Sequence, residues 1–338
     1  MLTVKVGKTG IIANKNGFGA LPIQRISGED AKEILLHAYE GGINFFDTSR
    51  AYSDSEEKIG MTLSHVRDKM HIATKTKSKN ADEFWIDLRE SLKAMKTDYI
   101  DIYQFHNPSF CPKPKDGTGL YEAMLEAKKN GFIKHIGITN HRMKIALEVV
   151  ESGLYETIQF PFSYLATEEE LSLVRMCKER EVGFIAMKSL AGGLINNSRA
   201  AYAHQSLFDN VLPIWGVQKL EELDEFLGYT TNPPEMTVEM LELIEYDKKI
   251  LSGDFCRGCG YCLPCPADID ITNAARMSLM IRRAPTKVFF SEDWQRKMKK
   301  IEECIECRHC SDNCPYGLDT PNLLKRNLKD YEESIQKV

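Results

Sequence analysis

The sequence has few features of a secreted, membrane-bound or nucleic-acid-binding protein. Its first residues, Met-Leu-Thr-Val-Lys-Val-Gly-Lys, lack the apolar core that follows the charged start of a signal peptide. No apolar run approaches the roughly 18 residues of a membrane-spanning helix. The formal net charge of −5 lacks the basic excess that holds nucleic acid. We therefore expect a cytoplasmic protein that binds neither membrane nor nucleic acid.

Cysteine is nearly absent from the first 255 residues, which contain only Cys111 and Cys177, whereas eight cysteines crowd between Cys256 and Cys314. In a reducing compartment, clustered thiols indicate a metal site rather than a disulfide scaffold. Cys177 continues a helical row of apolar residues, and Cys111 has no adjacent histidine or lysine. We interpret both of these early cysteines as passive.

Short apolar segments alternate with segments of helical spacing through most of the chain before the cysteine-rich region. Eight such alternations favour parallel βαβ units and predict a closed (β/α)8 TIM barrel. A doubly wound sheet is the alternative, but Gly17-Phe-Gly19 does not extend to the Gly-x-Gly-x-x-Gly turn of that fold. We expect segment 4–14 to form a hairpin at the barrel floor. The candidate strands are Gly17–Ala20, Ile43–Asp47, His71–Lys75, Tyr99–His106, Ile133–Thr139, Thr157–Phe162, Gly183–Lys188 and Val211–Ile214.

Two cysteine runs have the spacing of iron–sulfur ligands. They read Cys256-x2-Cys259-x2-Cys262-x2-Cys265-Pro266 and Cys304-x2-Cys307-x2-Cys310-x3-Cys314-Pro315. Three thiolates at two-residue gaps can hold one 4Fe–4S cluster, and in two-cluster ferredoxins the cysteine before the proline serves the other cluster. That pattern pairs Cys314 with the first triplet and Cys265 with the second. Two zinc sites of four cysteines each are the alternative.

The first run departs from the ferredoxin spacing, because two residues rather than three precede Cys265. Which fourth cysteine serves which cluster therefore stays open. The break at Asn232-Pro233-Pro234 separates this region from the strands. We place the barrel at 1–235, and a small, mainly α-helical, ferredoxin-like iron–sulfur domain at 236–338.

Four ionisable side chains lie at successive strand ends, where the C-terminal mouth of such a barrel does its chemistry. Asp47, Lys75 and His106 close the second, third and fourth strands, and Tyr52 follows in the loop after Asp47. A free phenol has a pKa of about 10, and a nearby ammonium lowers that pKa. A carboxylate would hold the lysine, and a histidine could polarise a carbonyl oxygen. The set predicts proton transfer to an alkoxide as hydride reaches a carbonyl carbon.

A glycine-containing segment, Ser189-Leu-Ala-Gly-Gly193, follows the seventh strand. Glycines let backbone amides approach a pyrophosphate, and barrels often bind phosphate beside their last two strands. A plain turn is the alternative reading of this segment.

With these residues, segment 3–227 resembles the aldo-keto reductase family. The resemblance implies that Asp47, Tyr52, Lys75 and His106 form the catalytic tetrad, with Tyr52 as general acid or base. Lys219 is the nearest cation for a 2′-phosphate, so NADP(H) and NAD(H) both stay open. By the same resemblance, the cofactor contacts would be Thr139, Asn140 and Gln159 at the carboxamide, Met187 in place of a stacking tyrosine, and Ser189, Leu190, Gly192 and Gly193 at the phosphates.

The whole chain is similar to the aldo-keto reductases that carry a C-terminal ferredoxin-type 4Fe–4S domain. We expect an NAD(P)(H)-dependent oxidoreductase that interconverts a carbonyl and an alcohol of a small molecule. Its two 4Fe–4S clusters would transfer electrons, with a redox protein as partner, or support the structure. A flavin-linked or partner-linked electron-transfer enzyme is one alternative, because flavins commonly join hydride and one-electron chemistry. A non-catalytic nicotinamide-binding redox sensor is the other.

Overall fold

The computed structural model describes residues 2–251, 255–283 and 286–336. The chain divides into two compact units. The first comprises Met1–Ser189 and Arg199–Met236, and the second comprises Leu190–Ser198 and Thr237–Val338. The short segment Leu190–Ser198 thus belongs to the second unit, although it lies between two barrel strands in the sequence.

The first unit is built on a closed barrel of eight parallel strands. Strands that follow one another in the sequence are neighbours in the barrel, and the last strand pairs with the first. An antiparallel hairpin of two short strands precedes the barrel. The predicted (β/α)8 barrel is confirmed, and each predicted strand ends within two residues of the observed one. The strands are β1 (Thr3–Lys5), β2 (Ile12–Asn14), β3 (Gly17–Gly19), β4 (Phe45–Asp47), β5 (His71–Thr76), β6 (Ile100–His106), β7 (Ile133–Thr139), β8 (Thr157–Pro161), β9 (Gly183–Met187) and β10 (Val211–Gly216).

Three of the barrel helices begin at a side chain that accepts a hydrogen bond from the first turn, namely those that follow Ser27, Asn80 and Thr167. Asn80 accepts from the Glu83 amide at 3.0 Å, and Thr167 forms a reciprocal capping box with Glu170. The helices are α1 (Gly28–Glu40), α2 (Ser55–Leu63), α3 (Ala81–Ala94), α4 (Leu120–Lys129), α5 (Met143–Ser152), α6 (Glu168–Glu179), α7 (Ser198–Ser206) and α8 (Leu220–Thr231). Short 3-10 turns lie at Gly7–Thr9, Pro22–Arg25 and Ser64–Lys69.

The hairpin closes the end of the barrel where the strands begin. Its apolar side chains Val4, Ile11 and Ala13 are buried in one cluster with Phe45 and Ile102 from the barrel strands. Apolar burial on this scale excludes water from that end of the barrel. Polar side chains can therefore lie at the opposite end of the barrel, where the strands end.

The second unit is mainly α-helical, as predicted, and no strand occurs among its described residues. Its core contains Met277, Met298, Leu324 and Tyr331 together with several of the cysteines. Across residues 2–251, 255–283 and 286–336, no helix is long and apolar enough to cross a membrane. The helices of this unit are α9 (Val238–Ile250), α10 (Ile271–Ala274), α11 (Met277–Arg283), α12 (Thr286–Phe289), α13 (Glu292–Lys299), α14 (His309–Asp312) and α15 (Thr320–Ile335), with a 3-10 turn at Lys300–Glu303.

Two glycines in barrel helices predict opposite effects of the same substitution. A Cβ on Gly60 in α2 would lie 2.2 Å from the Ala94 carbonyl oxygen, whereas a Cβ on Gly228 in α8 would meet nothing within 4 Å. We expect Gly60→Ala to lower the free energy of unfolding by about 1–3 kcal/mol through overpacking. Gly228→Ala should raise it by about 0.5–1 kcal/mol, because alanine favours a helix interior. Urea unfolding measures both, and effects of the same sign would contradict the packing at Gly60.

Candidate active site

A buried ion pair lies where β4 and β5 end. Lys75 Nζ donates to Asp47 Oδ1 at 2.8 Å and to Oδ2 at 2.7 Å, and its third hydrogen bond goes to the Thr48 carbonyl oxygen. The side chains are 1% and 3% exposed. Burial raises the pKa of Asp47 and lowers that of Lys75, and their mutual attraction opposes both shifts. Because three acceptors surround Nζ, we treat the pair as ammonium and carboxylate.

Tyr52 and His106 lie beside this ion pair. The two rings meet edge to face with centroids 5.8 Å apart, and Lys75 Nζ is 5.2 Å from the Tyr52 ring centroid. Tyr52 is placed by the turn after β4, where its amide donates to the Ser49 carbonyl oxygen at 2.9 Å. The structure thus brings together all four residues of the predicted tetrad at the carboxyl ends of β4, β5 and β6.

The His106 ring is held by Ser49, whose Oγ lies 3.0 Å from His106 Nδ1. Burial is the main cause that holds the pKa of His106 well below its usual 6.5, and the charges of Lys75 and Lys77 add to the effect. The ring is therefore neutral at pH 7. If the Ser49 hydroxyl donates to Nδ1, the hydrogen of the neutral ring is on Nε2.

Gln159 extends the polar set into the barrel interior. Its Nε2 donates to Asp47 Oδ2 at 3.4 Å, and its Oε1 accepts from Gln104 Nε2 at 3.1 Å. Gly137 in β7 leaves room for this contact, since a Cβ there would lie 2.9 Å from Gln104 Cγ and 2.4 Å from Thr157 Oγ1. The chain of amides thus adds a hydrogen-bond donor to the Asp47 carboxylate beside those of Lys75.

Strand register places the other predicted nicotinamide residues near the end of β7. Thr139 pairs with His106 on one side and with Gln159 on the other, and it is buried. Asn140 Nδ2 donates to the Pro108 carbonyl oxygen at 2.9 Å, which leaves one amide N–H for a ligand. Met187, at the end of β9, is partly buried against the barrel core.

The predicted phosphate segment is divided between the two units. Ser189 belongs to the first, where its hydroxyl is buried and has no hydrogen-bond partner within the described part of the chain. Leu190, Gly192 and Gly193 belong to the second, and both glycines are exposed. Lys219 is exposed at the start of α8.

The eight clustered cysteines line two cavities in the second unit. The first cavity is lined by Cys256, Cys259, Cys262 and Cys314, and the second by Cys265, Cys304, Cys307 and Cys310. Cys310 borders the first cavity as well, and Ile271 borders both. This division has the fourth cysteine of each run beside the triplet of the other, as in two-cluster ferredoxins.

Several of the clustered thiols are buried. Among the described residues, no three His, Cys, Asp or Glu side chains are placed to hold one metal ion, and the clustered thiols line two cavities. Burial raises the pKa of Cys262 to about 12 and raises that of Cys256. Thiolates in such places need a cation beside them, and the iron of a cluster supplies that charge.

The two remaining cysteines stay protonated at neutral pH. Burial raises the pKa of Cys111 to about 11 and that of Cys177 to about 12. Cys177 is fully buried in α6, and Cys111 is 5% exposed. Both values support the passive roles that the sequence predicts for them.

Two family models match separate parts of the chain. A sequence model of the Aldo/keto reductase family matches residues 15–209, and a model of a 4Fe-4S dicluster domain matches residues 255–319. The chain belongs to the aldo/keto reductase family, which makes it an oxidoreductase, and it carries a C-terminal 4Fe–4S domain.

Individual relatives are distant. The chain is 24% identical over 254 residues to the uncharacterized oxidoreductase YqkF of Bacillus subtilis, covering 71% of this chain and 81% of that protein. It is 30% identical over 209 residues to L-galactose dehydrogenase of Arabidopsis thaliana, covering 56% and 66%. An aldo-keto reductase structure from Bacillus halodurans superposes with a TM-score of 0.64 at 20% identity, over 73% of this chain and 96% of that one. The structural likeness concerns the fold.

Sequence reasoning missed two residues that position the tetrad, Ser49 and Gln104. Ser49 holds His106 Nδ1, and Gln104 reaches Asp47 through Gln159. Gln104 had a readable signal, because it lies two residues before His106 in a strand and therefore points to the same face. Ser49 had none, since a serine after a strand is common in turns.

The Asp47–Lys75 pair predicts a large loss of stability when one partner is removed. We expect Asp47→Asn to lower the free energy of unfolding by about 3–5 kcal/mol, because it leaves a buried ammonium without its carboxylate. The double variant Asp47→Asn/Lys75→Met should recover much of this loss. Urea unfolding of the three proteins measures the effect.

Asp209→Asn is the matched control. Asp209 pairs with Lys178 at 2.6 Å, but both side chains are exposed, at 72% and 58%. Solvent screens such a pair, so the change should be small. Equal losses from Asp47→Asn and Asp209→Asn would contradict the buried character of the Asp47–Lys75 pair.

Proposed function

We propose that the barrel interconverts a carbonyl and an alcohol of a small molecule, using NADP(H) or NAD(H). The observation that carries the proposal is the placement of Tyr52 and His106 beside the buried Lys75 ammonium. The dinucleotide, when bound, supplies or removes hydride at the carbonyl carbon. In reduction the carbonyl oxygen gains negative charge, and a proton donor must neutralise it.

Tyr52 is the proposed proton donor in reduction and acceptor in oxidation. When the Tyr52 hydroxyl gives its proton to the substrate oxygen, the substrate carbonyl becomes an alcohol and Tyr52 is left as a phenolate. The charge of Lys75, whose Nζ lies 5.2 Å from the centre of the Tyr52 ring, stabilises that phenolate. Since all three Nζ hydrogens are engaged by Asp47 and Thr48, Lys75 acts as a fixed charge rather than as a proton source.

His106 is proposed to orient the carbonyl. With Ser49 at Nδ1 and a neutral ring, Nε2–H is left to donate a hydrogen bond to the substrate oxygen. A neutral donor stabilises the developing charge without adding a second proton source. The ring therefore aims the oxygen at the Tyr52 hydroxyl.

The dinucleotide contacts remain those that the resemblance implies. In the first unit we assign the nicotinamide to Thr139, Asn140, Gln159 and Met187, and a phosphate oxygen to the unpartnered Ser189 hydroxyl. In the second unit, Leu190, Gly192 and Gly193 would offer backbone amides to the pyrophosphate. Lys219 is exposed and stays the proposed cation for a 2′-phosphate.

We further propose that the second unit holds two 4Fe–4S clusters, one in each thiol-lined cavity. Their ligands would be Cys256, Cys259, Cys262 and Cys314 for the first, and Cys265, Cys304, Cys307 and Cys310 for the second. Each cluster exchanges one electron at a time. We place this activity in the cytoplasm, where thiols remain reduced.

Partner-linked electron transfer is a second candidate function for these clusters. Cys307 is exposed, and the neighbouring Ile305 is 65% exposed, so the second cluster would lie close to the surface. A surface-exposed cluster can exchange electrons with a redox protein. Support of the helical core alone would not require that exposure.

Tyr52→Phe tests the catalytic assignment. We expect turnover of a carbonyl panel with NADPH or NADH to fall about 10²–10⁴-fold, because the proton donor is lost, while dinucleotide affinity stays unchanged. Steady-state kinetics and equilibrium dinucleotide binding separate the two effects. Tyr246→Phe is the control, since Tyr246 is 60% exposed in α9. Unchanged turnover in Tyr52→Phe would favour the redox-sensor alternative.

Cys314→Ser and Cys265→Ser test the division of the thiols. Each variant should lose one cluster and keep the other, so about half of the iron and sulfide should remain in each. Cys111→Ser should keep both clusters. Anaerobic iron and sulfide analysis with a visible spectrum measures this result. Zinc without sulfide in the purified protein would overturn the cluster assignment.

A further inference from the structure

An arginine of the second unit contacts the predicted phosphate segment. Arg276 lies between α10 and α11, and its Nη2 donates a hydrogen bond to the Gly192 carbonyl oxygen. A Cβ on Gly192 would lie 3.4 Å from Arg276 Nη1, and one on Gly193 would lie 4.0 Å from Nη2. The guanidinium is therefore in direct contact with the glycines that the sequence assigns to a pyrophosphate.

The same guanidinium lies against the first cysteine run. A Cβ on Gly258 would be only 2.6 Å from Arg276 Nη1, so a side chain at this position would displace the guanidinium. The Gly258 amide donates to Cys256 Sγ at 3.3 Å. Gly192 and Gly258 both have positive φ, at +67° and +62°, so two glycine turns enclose one arginine.

Arg276 has unused capacity to bind an anion. Its Nε is buried and has no hydrogen-bond partner in the described ranges. Its Nη2 is already engaged by the Gly192 carbonyl oxygen, so Nε is a donor that the Gly192 contact does not satisfy. A buried donor without a partner is unfavourable, and a bound anion would supply an acceptor to the guanidinium.

We propose that Arg276 binds the dinucleotide pyrophosphate at the Gly192–Gly193 turn and, through its charge, links that binding to the redox state of the cluster held by Cys256. This inference rests on the proposed function, since it needs a dinucleotide and a cluster. It adds an iron–sulfur-domain residue to the dinucleotide contacts, and it makes the two cofactors interdependent. A pyrophosphate is the suitable ligand because a guanidinium fork matches paired phosphate oxygens.

The direction of the linkage follows from charge. Arg276 stabilises the reduced cluster, which carries one more electron than the oxidised cluster. A pyrophosphate bound to Arg276 offsets that positive charge, so it should bind more tightly to the oxidised protein. By reciprocity, binding lowers the midpoint potential of that cluster. Each tenfold preference for the oxidised protein corresponds to about 59 mV for one electron.

The test uses holoprotein and ADP-ribose or its 2′-phosphate, which contain the pyrophosphate but cannot exchange hydride. Arg276→Met should weaken binding of the preferred compound about tenfold or more, because a charge-assisted hydrogen-bonded contact is lost. Arg276→Lys keeps the charge and loses the fork, so its affinity should lie between wild type and Arg276→Met. Calorimetry measures the affinities, with cluster content checked by iron analysis.

Arg282→Met is the matched control, because it removes the same charge in the same unit. Arg282 is exposed and pairs with Asp330 at 2.7 Å and 2.8 Å. Its loss should leave ADP-ribose affinity unchanged. Equal weakening in Arg282→Met and Arg276→Met, or unchanged affinity in Arg276→Met, would overturn the proposal.

An EPR redox titration of wild-type protein gives a test that needs no variant. With saturating ADP-ribose, the midpoint potential of the cluster held by Cys256 should fall, and the midpoint potential of the other cluster should change less. Identical potentials with and without the ligand would overturn the linkage even if Arg276→Met loses its clusters. If neither ADP-ribose nor its 2′-phosphate binds to the wild-type protein, the result counts against the proposed dinucleotide function. If the protein turns over carbonyls and Arg276→Met binds ADP-ribose as tightly as wild type, only the role of Arg276 is overturned.

Discussion

The candidate site depends on a desolvated charge pair, Lys75 with Asp47. Two buried charges are unfavourable unless each finds full compensation, and here Asp47, Thr48 and Gln159 provide it. Once the ammonium is held in place, it becomes a positive charge of defined position in a region of low dielectric constant. Tyr52 and His106 lie around that charge, and its presence beside the ring helps to keep His106 neutral.

Thiol burial has the same role in the second unit. Cys256, Cys262 and Cys310 belong to the apolar core of that unit. Burial raises the pKa of each of these thiols, so we expect metal binding and folding to be coupled there. With the proposed clusters bound, the unit would depend on them much as the barrel mouth depends on its ion pair.

The proposed function brings two kinds of redox chemistry into one chain. Hydride transfer moves two electrons together, whereas a 4Fe–4S cluster moves one. No flavin is needed between the dinucleotide and the clusters if the two influence each other through charge and no electron passes between them. Arg276 offers such a connection, since one guanidinium contacts the Gly192 turn and lies near Cys256. On this view, the clusters regulate dinucleotide binding and exchange electrons elsewhere.

Much of this protein was readable in its sequence. Hydrophobic periodicity predicted every barrel strand, because strand length and alternation are local properties. The positions of Asp47, Lys75 and His106 at strand ends predicted their convergence, because parallel strands in a barrel end at one mouth. Cysteine spacing predicted a 4Fe–4S domain, because ligand geometry restricts how far apart in the chain the thiols can lie.

The tertiary structure decided what spacing does not encode. It showed that the thiols divide into two cavities with Cys314 and Cys265 exchanged between the runs. It also showed that Ser49 holds His106 and that Arg276 holds Gly192, although 84 residues separate the latter pair in sequence. Such contacts depend on strand register and helix packing, which bring together residues whose own sequence neighbourhoods look like ordinary turns.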